Sequence, residues 1–159
     1  MKITVLCVGK VKEAFYQKAI AEYAKRLSRY TKLEIIEVAD EKTDENASDH
    51  ENLLVLEKEG ERLLKNIRED VYVIALAIEG KMLDSVELSE KLSQLTVSGT
   101  SHICFVIGGS LGLSPEILKR ADMQLSFSRM TFPHQLMRVI LLEQVYRSFR
   151  IANHEPYHK

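Results

Sequence analysis

The chain has 159 residues, the length of one domain, and its 45% hydrophobic and 28% charged content excludes general disorder. Basic and acidic side chains nearly balance, 22 against 23, so a bulk polycation is excluded although a local basic face is not. No apolar run approaches the roughly eighteen residues that would span a bilayer, and the apolar part of MKITVLCVGKVKE is too short for a signal peptide; a cytoplasmic protein with no membrane contact is expected.

Taken in chain order, strands and helices alternate. Lys2 to Val8 is β-rich and ends at Gly9. Lys12 to Tyr30 has helical periodicity, with Phe15, Ala19, Ile20, Tyr23, Ala24 and Leu27 on one stripe. Lys32 to Val38 is a second strand. The polar stretch after it reads as a loop, with an N-cap near Ser48 or Asp49 opening a helix that runs to about Ile67. Val71 to Ile78 is almost continuously apolar, as a strand covered on both faces is. Asp84 or Ser85 caps a helix through about Leu95. His102 to Ile107 is another buried strand and leads into Gly108-Gly109. Ser114-Pro115 opens a short helix, Met123 to Phe127 is a fifth strand, and a long helix runs from Pro133 to about Ala152. This order predicts an α/β fold: a mostly parallel sheet with helices on both faces, over 1–159 as a single domain. Cys7 and Cys104 lie inside apolar runs and read as buried, reduced thiols. No CxxC, HExxH or Cys/His cluster suggests a metal.

Charge is uneven along the chain. Asp40 to Asp70 holds 11 acids against 5 bases, whereas Lys119 to Arg150 holds 6 bases against 2 acids. These are either two solvated helix faces or, for the second, a basic face that meets a polyanion.

Ligands of parallel α/β sheets bind beyond the carboxyl ends of the strands. Three such ends stand out. One is Leu76 to Gly80. The second is GGSLGLSP from Gly108, where paired glycines either let backbone approach a ligand or simply make a tight turn. It is neither GxGxxG nor a P-loop, which disfavours a dinucleotide or triphosphate. The third is SFSRMTFPH, a mixture of hydroxyls, Arg, Phe and Met suited to an apolar pocket with a few polar anchors, or to a packed loop. No nucleophile–base pair is evident. His134 falls in a first helical turn, where the dipole disfavours imidazolium.

MKITVLCVGK, GGSLGLSP, TFPHQLMRVILLEQVYRSFRI and the terminal PYHK together resemble the ribosomal RNA large subunit methyltransferase H family, small enzymes of the SPOUT class, over the full chain. The resemblance implies S-adenosylmethionine as methyl donor. It implies methylation of N3 of a pseudouridine in 23S rRNA, with free rRNA or the assembled ribosome as partner. It also implies a C-terminal trefoil knot and a homodimer. Matched by position, Leu76, Gly108, Phe127, Ser128, Arg129, Met130, Thr131 and Phe132 fall on cofactor contacts. His134, Tyr157, His158 and Lys159 are the candidates for the proton or phosphate side of the reaction, with Lys159 standing where relatives often carry Arg. Gly108→Val is expected to block the adenosyl moiety and leave the fold largely intact.

The apolar side chains of the last helix, Leu136 through Ile151, cover more than one face, which suits either a central core helix or a dimer interface. The alternative function is a non-catalytic α/β ligand-sensing or RNA-binding module with the same fold. Calorimetry with S-adenosylmethionine and S-adenosylhomocysteine separates the two.

Overall fold

A computed structural model describes residues 1–159. Strands β1 (Lys2–Val8), β2 (Lys32–Val38), β3 (Tyr72–Met82), β4 (His102–Ile107) and β5 (Met123–Ser126) alternate with helices α1 (Ala14–Leu27), α2 (Asp49–Leu64), α3 (Ser85–Val97), α4 (Pro115–Arg120) and α5 (His134–Ala152). The five strands form one sheet in the order β2-β1-β4-β3-β5, and every pairing is parallel.

Side-chain alternation along the inner strands sorts the core into two layers. Ile3, Val5, Cys7, Ile103, Phe105 and Ile107 face the layer of α1, α3 and α5. Leu6, Val8, Val73, Cys104 and Val106 face α2 and α4 through Leu63 and Ile117. Both faces of β1, β3 and β4 are thus covered, which accounts for their unbroken apolar runs. Edge strand β2 is largely half-buried or exposed and alternates instead.

Local chemistry fixes the helix starts. Ser48 and Glu51 form a capping box at α2, Asp84 and Glu87 another at α3, and Ser114 caps α4 with Pro115 in its first turn. Several expected boundaries shift; helix α1, for one, spans Ala14–Leu27 inside the expected Lys12–Tyr30. Strand β3 extends four residues past Ile78, because Leu125 pairs first with Leu76 and again with Lys81, so residues 77–80 arch out of the ladder. Strand β5 stops at Ser126, whose hydroxyl donates to Ser128 O as the chain turns. Helix α2 ends at Leu64 rather than Ile67.

One expected core residue lies outside. Phe15 shares the helical stripe of α1, yet it is 65% exposed: it sits in the first turn and packs on Tyr16 at 4.3 Å rather than on the core. The cations of Lys119–Arg150, read either as a solvated face or as a face for a polyanion, are mostly absorbed by the fold. Arg138 is buried against Glu37, Arg147 pairs with Glu143, and Arg150 pairs with Glu155. Arg120 donates to Arg68 O and Val71 O. Sequence charge does not show which cations a tertiary fold consumes.

Candidate active site

The carboxyl ends of β3, β4 and β5 open into one cleft of about 580 Å³. Its walls are Leu76, Ala77 and Ile78 from the arch of β3, Ile107 to Ser110 with Gly112 beyond β4, and Phe127, Ser128 and Met130 to His134 beyond β5. The volume suits a ligand of cofactor size, and the lining is mainly apolar with a few hydroxyls and backbone groups.

Packing beneath the cleft shapes the second wall. A Cβ on Gly108 would run into the backbone carbonyl of Gly112, so the turn closes only with glycine there. This changes the expectation for Gly108→Val: the substitution must open the turn itself, and a loss of ligand binding would not isolate a contact with the ligand. Gly109 has more room, with Val8 Cγ1 at 3.2 Å and the Glu59 carboxylate at 3.4 Å from the position its Cβ would take. Glu59 is buried on α2 and accepts from the Glu41 N–H at 3.0 Å. Burial pushes its carboxyl above the ordinary range, and the neighbouring Asp40 and Glu41 add to that, while the Glu41 N–H and Arg62 oppose it. In the third wall the Ser128 hydroxyl accepts from the Met130 N–H at 3.0 Å and holds the turn before Thr131.

Of the residues singled out from sequence, Leu76, Gly108, Phe127, Ser128, Met130, Thr131, Phe132 and His134 line this cleft together. Arg129 does not line it. It is exposed between two residues that do, and has no carboxylate partner. His134 opens α5 with Nδ1 buried and without a hydrogen-bond partner. Burial is the main cause holding its imidazole below the ordinary histidine value, with Arg138 acting in the same direction.

Tyr157, His158 and Lys159 lie elsewhere. Tyr157 packs edge-on against Tyr146 at 5.0 Å and under the Arg147 guanidinium at 4.6 Å, and the Arg147 guanidinium is 3.1 Å from His158 Nδ1. Tyr146 lies twelve residues beyond His134 on α5, about 18 Å along its axis. Within one chain the tail and the cleft are therefore apart. The tail is anchored where it leaves α5: Glu155 accepts from the Tyr30 hydroxyl at 2.8 Å and from Arg150 at 2.6 Å, and Arg150 also donates to Pro156 O at 2.7 Å.

Sequence reasoning missed the groups that support the cleft from behind, Gly9, Glu37, Glu59 and Arg138. The one available signal was an arginine set among the apolar residues of the last helix, four residues after His134.

Comparison with known proteins extends this picture. Residues 1–158 match the family described as "Predicted SPOUT methyltransferase". The chain is 65% identical to the ribosomal RNA large subunit methyltransferase H of Bifidobacterium adolescentis and 62% identical to that of Bifidobacterium animalis subsp. lactis. It is 58% identical to the protein of the same name from Clostridium novyi; all three alignments cover the whole of both chains. Among solved structures, a probable methylase family protein from Haemophilus influenzae shares the fold. Its TM-score is 0.51 at 13% identity, over 96% of this chain and 66% of that one.

Proposed function

Since the chain belongs to the SPOUT methyltransferase family, we propose that it is a ribosomal RNA methyltransferase that uses S-adenosylmethionine to methylate N3 of a pseudouridine in 23S rRNA. One observation carries this reading: three strand-end loops, far apart in sequence, converge on a single cleft of cofactor size. The relatives bear the name of a ribosomal RNA large subunit methyltransferase, and the chain matches them end to end. The enzyme acts as one domain over residues 1–159 and carries a C-terminal trefoil knot.

The residues present fit the donor. The turn that only glycine at 108 allows brings backbone into the cleft wall without a side chain in the way, and Leu76, Phe127 and Phe132 offer apolar surface to an adenosyl group. When bound, S-adenosylmethionine supplies a methyl group on a cationic sulfur, activated for in-line displacement without metal or covalent enzyme intermediate. The protein's part is positioning. The walls from β3 and β5 exclude water, and Ser128 keeps the loop before Thr131 in place. The acceptor, an imide N3–H, must lose a proton. A neutral His134 at the cleft, or His158 brought to it, can take that proton. Tyr157 stacks on or hydrogen-bonds the uracil edge, and Lys159 offsets the developing negative charge.

The tail's distance from the cleft of its own chain supports a homodimer in which each tail serves the partner's cleft. The rRNA, free or in the assembled ribosome, then lies across both subunits.

Calorimetry with S-adenosylmethionine, followed by transfer of labelled methyl to ribosomes from a strain lacking the enzyme, tests the proposal. Binding together with one new methyl on a 23S pseudouridine is the expected result. A protein that binds neither S-adenosylmethionine nor S-adenosylhomocysteine would be a sensing or RNA-binding module instead.

A further inference from the structure

Arg138 is the largest of the fully buried side chains, 2% exposed, and sits one helical turn after His134 on α5. Its Nη2 donates to the carbonyls of Val8 at 3.0 Å and Gly9 at 2.7 Å, and its Nη1 donates to Glu37 Oε2 at 2.6 Å. Burying a guanidinium is costly, and a well-packed apolar side chain often does as much for stability. What the guanidinium holds is therefore informative. Gly9 is left-handed, with φ of +88°, and its N–H donates to Val38 O at 2.8 Å. That turn lies beside His134: a Cβ on Gly9 would stand 3.6 Å from the imidazole Cε1, in ordinary van der Waals contact. A continuous path thus runs from the Glu37–Arg138 pair through the Gly9 carbonyl to the ring in the cleft wall.

We propose that Arg138, although outside the cleft, is a positioning residue for it: the guanidinium fixes the Gly9 turn beside the His134 ring and sets a positive charge one helical turn behind that ring, in a wall that would face a cationic ligand. The proposal rests on the methyltransferase reading, since the donor named there carries a positive sulfur. The charged groups that face His134 are Arg138 from α5, Asp40 from the loop after β2 and Glu13 from the turn before α1. Arg138 opposes protonation, as burial does, and the two acids favour it. An imidazolium in the cleft wall would repel the donor but not its neutral sulfide product. Lowering the pH through the His134 value therefore weakens S-adenosylmethionine binding selectively. Removing the guanidinium moves that loss to higher pH.

The test follows the His134 ring by proton NMR across pH in the full-length protein, its signal assigned by its absence in His134→Gln. Wild type is expected to titrate below the ordinary value of about 6.5, Arg138→Gln nearer to it, and Arg138→Lys close to wild type. Calorimetry with both ligands then reads the consequence. Between pH 7.5 and 5.5 the affinity for S-adenosylmethionine relative to S-adenosylhomocysteine is expected to drop at least about two-fold further in Arg138→Gln than in wild type or the Lys variant. Should Arg138→Gln not fold, Glu37→Gln leaves the guanidinium without its counter-charge and is expected to push the His134 titration further down. An unmoved His134 titration in every folded variant overturns the proposal, and so does a moved titration with an unchanged ligand ratio. If the wild type binds neither ligand, the methyltransferase reading fails, while the NMR titration still decides whether Arg138 governs His134.

Discussion

The two adjacent glycines beyond β4 look alike in sequence and differ in what surrounds them. Gly108 faces the Gly112 carbonyl at clashing distance, whereas Gly109 faces a valine methyl and a carboxylate that a Cβ would only crowd. Gly108→Ala is expected to lose donor binding and about 1–3 kcal/mol of stability, with Gly109→Ala costing clearly less in both. Urea melts and calorimetry on the two variants check the ranking. Glu59 sets a second expectation. Its folded-state carboxyl is raised, mainly by burial, so the folded protein binds that proton more tightly than the unfolded chain and stability falls as pH rises from the ordinary carboxylate range through the raised value. Glu59→Gln keeps an oxygen for the Glu41 N–H and removes the charge. It should be more stable than wild type at pH 7, and the advantage should shrink as pH drops toward 4. Denaturation midpoints at three pH values decide this. None of these distinctions was legible in the residue letters, because each depends on what a distant segment places against the residue.

At the scale of elements the sequence was far more explicit. The capping residues announced α2, α3 and α4, and the unbroken apolar runs of β3 and β4 announced their burial on both faces. Replacing Ser48 or Asp84 by Ala should cost about 1 kcal/mol each, measurable as a lower urea midpoint without loss of donor affinity. What escaped the pattern was the arch at 77–80. It arises because β5 pairs twice with β3, and a periodicity within one strand carries no information about its neighbour's register. The terminal PYHK stood out through the family resemblance, and its seat on Tyr146 and Arg147 was not legible. Within one chain, deleting Tyr157 to Lys159 removes contacts at the end of α5 remote from the cleft. It should leave S-adenosylmethionine affinity within a few-fold while sharply cutting methylation of ribosomes. Lost cofactor binding would instead place the tail over the methyl donor.

Across the whole molecule, alternation of strand and helix predicted the layers, since a parallel pair needs a crossover helix between its strands. The strand order could not be read, because β4 enters between β1 and β3 through pairings that span much of the chain. The proposed homodimer predicts a sedimenting mass of twice the 18.2 kDa chain at micromolar concentration, and a tail-deleted chain mixed with a cleft-defective one should recover activity through hybrid dimers. The sheet has one further consequence. Cys7 and Cys104 lie on its neighbouring central strands β1 and β4, facing opposite layers, and burial pushes both thiols up to about 12. At neutral pH a folded chain thus presents almost no thiolate to an alkylating reagent, whereas an opened chain presents two ordinary ones. The protein carries its own clock for opening of the central sheet. The rate at which iodoacetamide consumes the two sulfurs, followed by mass spectrometry, should report how often each layer parts from the strands, and saturating S-adenosylmethionine should slow both.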